Sequence, residues 1–208
     1  MTSKYILSDA DIVRKISSMQ YRHQRYPLLL IALGFLCNMS FHSVPYIMYL
    51  SISLSVMGVL WFVYTLNNFR IRNKIIAPIP QSIYSPVSGT VRFVRSNSDV
   101  SLINIRKSFM DFVEIRSPHD DCFWEEDVLR LNHKLGSVTF RFSEKGFKKF
   151  DVEEMKAGSV IGIIIGFGSC NITLPSKLEL KLSAGKSVDA GETLLYTEGL
   201  DPIPRMNV

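Results

Sequence analysis

The stretch from Tyr26 to Phe69, YPLLLIALGFLCNMSFHSVPYIMYLSISLSVMGVLWFVYTLNNF, contains no Asp, Glu, Lys or Arg in 44 consecutive positions. A helix needs about 20 apolar residues to cross roughly 30 Å of hydrocarbon, so this run is long enough for two crossings joined by a short turn. Asn38, Ser40, His42, Ser43 and Pro45 interrupt it and mark that turn. The reading is a transmembrane helical hairpin over 26–69, with helices from about Pro27 to Phe41 and from about Tyr46 to Leu66, the first short for a full span. Tyr26, Tyr46, Trp61 and Tyr64 stand toward the helix ends, where aromatic rings suit the headgroup level. The run starts too far from residue 1 for a signal peptide and lacks its small-residue cleavage site. It is also longer than an ordinary core helix.

Basic residues flank the hairpin on both sides, with Lys15, Arg22 and Arg25 before it and Arg70, Arg72 and Lys74 after it. The positive-inside rule then places both ends in the cytoplasm and the His42–Ser43 turn outside. In the leader over 1–25, Ser8 and Asp9 precede Ile12, Val13 and Ile16 at helical spacing, which predicts a short amphipathic helix over about Ala10 to Met19 at the membrane surface. The chain as a whole has 208 residues, enough for one domain with an appendage. With 47% hydrophobic and 21% charged residues it is neither a disordered chain nor a coiled coil. Its net charge of +5 is mild and dispersed; it suits an anionic membrane surface and does not call for nucleic acid. Cys37, Cys122 and Cys170 are odd in number and widely spaced, which excludes a disulfide framework and a zinc site of CxxC type and implies a reducing compartment.

After Lys74 the pattern changes to short β-branched and aromatic runs separated by Gly, Pro, Ser and Asn. Strands are predicted over Thr90–Arg95, Val100–Ile105, Phe109–Arg116, Val128–Asn132, Ser137–Phe142, Val160–Phe167, Cys170–Leu174, Lys177–Leu182 and Thr193–Tyr196. In Ser137–Phe142, Val138, Phe140 and Phe142 share one face while Thr139 and Arg141 share the other, as a half-buried strand requires. Glu144–Lys149 reads as a turn at most. The expected fold is mainly β: a compact sandwich or barrel-like domain over 70–208, tethered by the helical hairpin.

The segment Gly162-Ile-Ile-Ile-Gly166-Phe-Gly168-Ser169-Cys170-Asn-Ile-Thr-Leu-Pro175 places a Gly-Ser bond in a glycine-rich break between two strands. Glycine there allows backbone geometries that other residues resist, and a strained peptide bond beside a hydroxyl can rearrange. Attack of the Ser169 hydroxyl on the Gly168 carbonyl exchanges amide for ester; elimination and hydrolysis then leave a pyruvoyl group. Taken alone, such a dipeptide is far more often a loop element.

Further features accompany it in order along the chain: the leader ending Arg25-Tyr26-Pro27, the hairpin, Ser85-Pro-Val-Ser-Gly-Thr-Val91, the Gly162–Ser169 segment and Gly185-Lys-Ser-Val-Asp-Ala-Gly-Glu-Thr-Leu194. Over nearly its whole length the chain resembles the short, membrane-anchored bacterial type of phosphatidylserine decarboxylase. The resemblance implies that Ser169, cut from Gly168, becomes a covalently held pyruvate (pyruvoyl) cofactor, and that the substrate is phosphatidylserine, decarboxylated to phosphatidylethanolamine at the inner (cytoplasmic) membrane with the β domain on the cytoplasmic side. It implies association of the two cleaved fragments, is compatible with a homo-oligomer, and involves no nucleic acid.

Two positions depart from the family. Ser88 stands where its Ser-Pro-x-Asp-Gly segment has an acid. In Ser117-Pro118-His119-Asp120-Asp121-Cys122, the nearest text to its Ser-Pro-x-Asp-x-His segment, Cys122 holds the histidine position. His119 with Asp120 or Asp121 is the substitute base, since proton transfer needs a group titrating near the working pH. The bland readings are a surface histidine and turn carboxylates for these three, buried small hydrophobes for Cys122 and Cys170, a surface position for His133, and a solvated face for Lys134, Lys145, Lys148 and Lys149. No metal site is expected. The alternative function is a non-catalytic membrane-anchored relative, or a lipoyl-like adaptor module suggested by the paired segments Pro86–Val91 and Gly185–Leu194.

Overall fold

The computed structural model describes residues 3–41, 44–72, 79, 82–134, 136–152, 155–176 and 182–197, with side chains from Asp11 onward. The chain divides into two compact units, Met1–Arg70 and Ile71–Val208.

The first unit is two helices, α1 (Ser3–Ser40) and α2 (Pro45–Asn68). The sequence predicts an amphipathic helix and a separate apolar one before the turn; the structure joins them into one helix with Pro27 inside it. Proline removes one backbone donor and crowds the preceding turn. The residues bridging the two predicted helices, Gln20 to Arg25, carry no glycine or proline to stop the helix. The helices meet through small residues: Ser51, Gly58 and Thr65 are buried on α2, seven residues apart. A Cβ on Gly34 would lie 2.4 Å from the Ser55 hydroxyl, and one on Gly58 would lie 2.7 Å from Ile31 and 3.1 Å from the Pro27 carbonyl. Large apolar side chains instead face outward, among them Leu29, Phe35, Leu36, Tyr46, Leu60 and Trp61. Close small-residue packing with bulky apolar residues outside suits a lipid surround. By length and composition α2 could cross a membrane. The apolar part of α1 after Pro27 is shorter, and the His42–Ser43 turn lies outside the described residues.

The second unit is built of antiparallel strands. These are β1 (Ser82–Tyr84), β2 (Gly89–Ser96), β3 (Val100–Lys107), β4 (Glu114–Arg116), β5 (Cys122–Glu125), β6 (Val128–His133), β7 (Gly136–Phe142), β8 (Phe147–Lys149), β9 (Val160–Ile164), β10 (Gly168–Pro175), β11 (Ser187–Val188) and β12 (Leu194–Thr197). Seven form one sheet in the order β11-β2-β3-β10-β7-β6-β5; β4-β9-β8 and β1-β12 form two smaller ones. Strand alternation turns Ile103, Ile105, Phe140, Leu129, Cys170 and Ile172 of the large sheet to one side. There they join Ile115, Ile161 and Ile164 of the three-stranded sheet and Ile83 and Leu195 of the two-stranded one in a single core cluster. The mainly β class is as expected.

Several boundaries differ. The strand predicted over Phe109–Arg116 survives only as β4, because Ser108–Asp111 closes a turn in which the Ser108 amide donates to the Asp111 carboxylate at 2.6 Å. Val160–Phe167 ends at Ile164, since Gly166 turns the chain with φ 75°. Glu144–Lys149 contains a strand, β8, entered through Gly146 at φ 79°. β1, β5 and β11 have no counterpart in the reading of the sequence, and residues 177–181 of the strand predicted over Lys177–Leu182 lie outside the described residues.

Candidate functional site

β9 and β10 belong to different sheets, and the passage between them carries the Gly168–Ser169 bond. Left-handed backbone falls at Gly166, two residues before the bond; Gly168 is already extended and paired in β10. The backbone conformation that calls for glycine therefore falls in the turn, at Gly166, and not at the Gly168–Ser169 junction. Glycine is required at 168 for a different reason: a Cβ there would come within 2.5 Å of the Ile164 side chain and 3.0 Å of the Ser143 hydroxyl. Ser169 is half-buried; its amide donates to the Ser143 hydroxyl at 3.1 Å and its carbonyl accepts the Ser143 amide at 2.9 Å. Across the sheet Ser169 faces Arg106 of β3, and by alternation both side chains point away from the core. Among the described residues the Ser169 hydroxyl makes no hydrogen bond.

Opposite Gly168 stands Lys107, whose side chain points into the core and is 1% exposed. Its ammonium donates to the carbonyls of Ser108 (3.1 Å), Asp111 (3.3 Å) and Gly166 (3.1 Å), tying the Ser108–Asp111 turn to the Gly166 turn. Burial pushes this amine down to about 8, against the opposing pull of Asp111 and Glu114. An edge-to-face pair of Phe109 and Phe167, 5.6 Å between centroids, closes the same two turns from outside. The reading of the sequence passed over Lys107. The signal was present: in Val100–Lys107 the inward positions run Ile103, Ile105, Lys107, which places a lysine where a core residue is due.

His119 and Asp120 lie elsewhere. The Ser117 amide bonds the Ser159 carbonyl and Arg116 pairs with Val160, so Ser117–Asp121 sits at the entry to β9, whereas Ser169 follows its exit. At about 3.3 Å per residue the strand between them spans roughly 13 Å. The His119 ring accepts the Asp121 amide at 3.1 Å and stands 3.6 Å from the Asp121 carboxylate. Asp120 accepts the Ala157 amide at 2.8 Å. Among the described residues no hydrogen bond or ion pair joins His119, Asp120 or Asp121 to Ser169. Cys122 is buried with its thiol pushed up to about 12, mainly by desolvation, and burial likewise raises the Cys170 thiol, so neither supplies a thiolate at neutral pH. His133 meets Tyr196 edge to face at 5.6 Å, while Lys145, Lys148 and Lys149 are exposed.

The two segments noted at Ser85–Val91 and Val188–Thr193 are held together. Ser85 donates its amide to Thr193 and accepts that of Gly191, each at 2.8 Å, and the Ser88 hydroxyl accepts the Ala190 amide at 3.0 Å. A charge network backs them. Arg72 meets Asp189 at 2.9 Å and Glu192 at 3.1 Å, and its backbone amide donates to Glu114 at 3.2 Å. Arg116 reaches the Arg72 carbonyl at 2.9 Å and stands 3.7 Å from Glu114, whose carboxyl burial raises. Among the described residues no group of three His, Cys, Asp or Glu side chains is placed to hold a metal ion. Comparison with protein-family models, curated proteins and solved structures finds no match for this chain.

Proposed function

We propose that the chain is a pyruvoyl-forming lyase of the phosphatidylserine decarboxylase type, a sandwich-like β domain held at the bacterial inner membrane by the α1–α2 hairpin with the β domain in the cytoplasm. The observation that carries this reading is the environment of Ser169: among the described residues its hydroxyl is unbonded, on the outward face, beside a Gly168 where an added Cβ would crowd the buried Ile164 side chain. The junction fits a pyruvoyl group made from the chain itself, because Ser143 holds the amide and carbonyl of Ser169 while leaving the hydroxyl to attack the Gly168 carbonyl carbon. Such a carbonyl supplies an electron sink when an amine substrate loses carbon dioxide. The outward hairpin residues support a membrane setting for a phosphatidylserine substrate.

A second reading, the non-catalytic relative, has its own observation. Ser108 and Asp111 match the Ser and Asp of the family's Ser-Pro-x-Asp-x-His pattern without its proline, and this segment, unlike Ser117 to Cys122, lies beside the Gly166 turn: the Val113 carbonyl accepts the Ile164 amide at 2.9 Å and Lys107 joins Asp111 to Gly166. In that alignment a fully buried valine holds the histidine position. Ser88, at the acid position, is engaged by Ala190.

Mass spectrometry of the purified chain decides between them. Cleavage after Gly168 gives fragments of 168 and 40 residues, the second blocked at its N-terminus. In a strain without its own phosphatidylserine decarboxylase, a cut wild type that forms phosphatidylethanolamine, with Ser169→Ala uncut and inactive, is the expected result. An uncut and inactive wild type overturns the lyase and leaves the non-catalytic relative.

A further inference from the structure

The outer face of the seven-stranded sheet is an arginine surface. Alternation and burial turn Thr90, Phe93 and Arg95 of β2, Asn104 and Arg106 of β3, Ser169, Asn171 and Thr173 of β10, and Thr139 and Arg141 of β7 away from the core cluster. The register sets Arg106 between Thr90 and Ser169, and Arg141 beside Asn171. At the centre the Asn104 amide donates to the Asn171 carbonyl oxygen at 2.6 Å. Arg106 and Arg141 are exposed, and among the described residues neither guanidinium has a hydrogen bond or an ion pair. Arg95 lies over the Phe93 ring at 5.0 Å. Arg130, on β6, is already paired with Glu125. None of the outward positions of β2, β3, β10, β7 and β6 is Asp or Glu.

Like charges gathered on one rigid face repel each other. Cations on edge strands discourage sheet-to-sheet aggregation, yet β3 and β7 are interior strands, so that explanation does not cover Arg106 or Arg141. The guanidinium fork matches phosphate oxygens in pairs. In sequence only residues 69–81 separate α2 from β1, so the β domain is covalently tethered to the hairpin. Tethering to a bilayer crossed by α2 would hold headgroup phosphates at high local concentration. Single-stranded nucleic acid, the competing polyanion, is bound through stacked aromatic rings; this face carries Phe93, already covered by Arg95, and Phe123, set apart on the edge strand β5 opposite Arg130 and two strands from Arg141.

We propose that the outward face carrying Arg95, Arg106 and Arg141 docks on anionic phospholipid headgroups through their phosphates. The docking does not depend on cleavage at Gly168, and Ser169→Ala retains it.

The test uses the full chain in nanodiscs of phosphatidylcholine alone or with 30% phosphatidylserine. A donor dye on Ser137→Cys, in a Cys37→Ser background that leaves only the buried Cys122 and Cys170, reports energy transfer to acceptor-labelled headgroups. Higher transfer in the phosphatidylserine discs is expected. The triple variant Arg95→Gln, Arg106→Gln, Arg141→Gln lowers the docked-to-undocked ratio by about fivefold per arginine. Lys148→Gln, on the separate three-stranded sheet, responds as the parent does. The single variants Arg106→Gln and Arg141→Gln each give part of the loss if the triple variant fails to fold. Equal transfer in both discs, or a folded triple variant indistinguishable from the parent, overturns the proposal. Displacement by inorganic phosphate or by a single-stranded RNA at concentrations below those of the lipid phosphate also overturns it, by assigning the face to a free anion or to nucleic acid. An uncut chain that still docks separates this inference from the lyase reading.

Discussion

Replacing Lys107 with Met removes a buried ammonium and leaves a side chain of similar length. The amine sits at about 8 in the folded protein against an ordinary 10.5, so the unfolded chain binds its proton more tightly. Stability rises with pH wherever the unfolded state holds more protons, which for this group is the interval between about 8 and 10.5. Below it both states are protonated and the full burial cost is present; above it the cost is gone. The interval corresponds to about 3 kcal/mol at 1.36 kcal/mol per pH unit. Cys122 and Cys170 act in the opposite sense, because their raised folded values weaken the fold as pH rises past about 9. They are common to both proteins and cancel in the difference. Denaturant unfolding of the full chain in mild detergent, followed by Trp124 fluorescence in a Trp61→Phe background, is the assay. The parent minus Lys107→Met difference in unfolding free energy is expected to grow by about 3 kcal/mol between pH 7 and pH 11. Parallel curves, with a difference flat to within about 1 kcal/mol, would refute the burial of a charged amine at this position.

In α2, Gly58→Leu forces side-chain atoms into Ile31 and the Pro27 carbonyl, and should cost about 1–3 kcal/mol, read as a lower thermal midpoint of the helical signal. The two glycines of the junction should separate by mechanism. Gly166→Ala costs about 1–2 kcal/mol for its left-handed backbone, whereas Gly168→Ala is destabilising through crowding against the Ile164 Cγ2 methyl; in an Ile164→Ala background, which removes that methyl, the added loss from Gly168→Ala should shrink while that from Gly166→Ala does not.

Alternation made the large sheet legible. Val138 and Phe140 against Thr139 and Arg141 was enough to place β7, and the same rule placed β3, β6 and β10. Strands of two to four residues carry too few alternations to register, which is why β5 and β11 were missed. The Ser108–Asp111 turn was hidden for another reason: its residues look strand-like, and what breaks the strand is a side chain, Asp111, bonding back to the Ser108 amide. At the site, the Gly168–Ser169 pair could be read from its composition. The partners of Ser169 could not, because Ser143 and Arg106 reach it through pairings set by the whole sheet, 26 residues away in sequence for Ser143. The chemistry of His119 is legible in sequence but its place is not: it lies near the start of β9, whereas Ser169 follows the end of that strand.

The polypeptide leaves β9, the middle strand of the three-stranded sheet, and four residues later enters β10, an interior strand of the seven-stranded one. A severed backbone at Gly168 would therefore leave the smaller piece woven in: β10 stays hydrogen-bonded on both flanks by β3 and β7, β11 by β2, and β12 by β1. Extracting it means opening the large sheet from within, so the two pieces would part no faster than the domain unfolds. The same seam is where the gene could be split into two co-expressed halves, or the ends relocated, with the native pairing still dictating a single assembly.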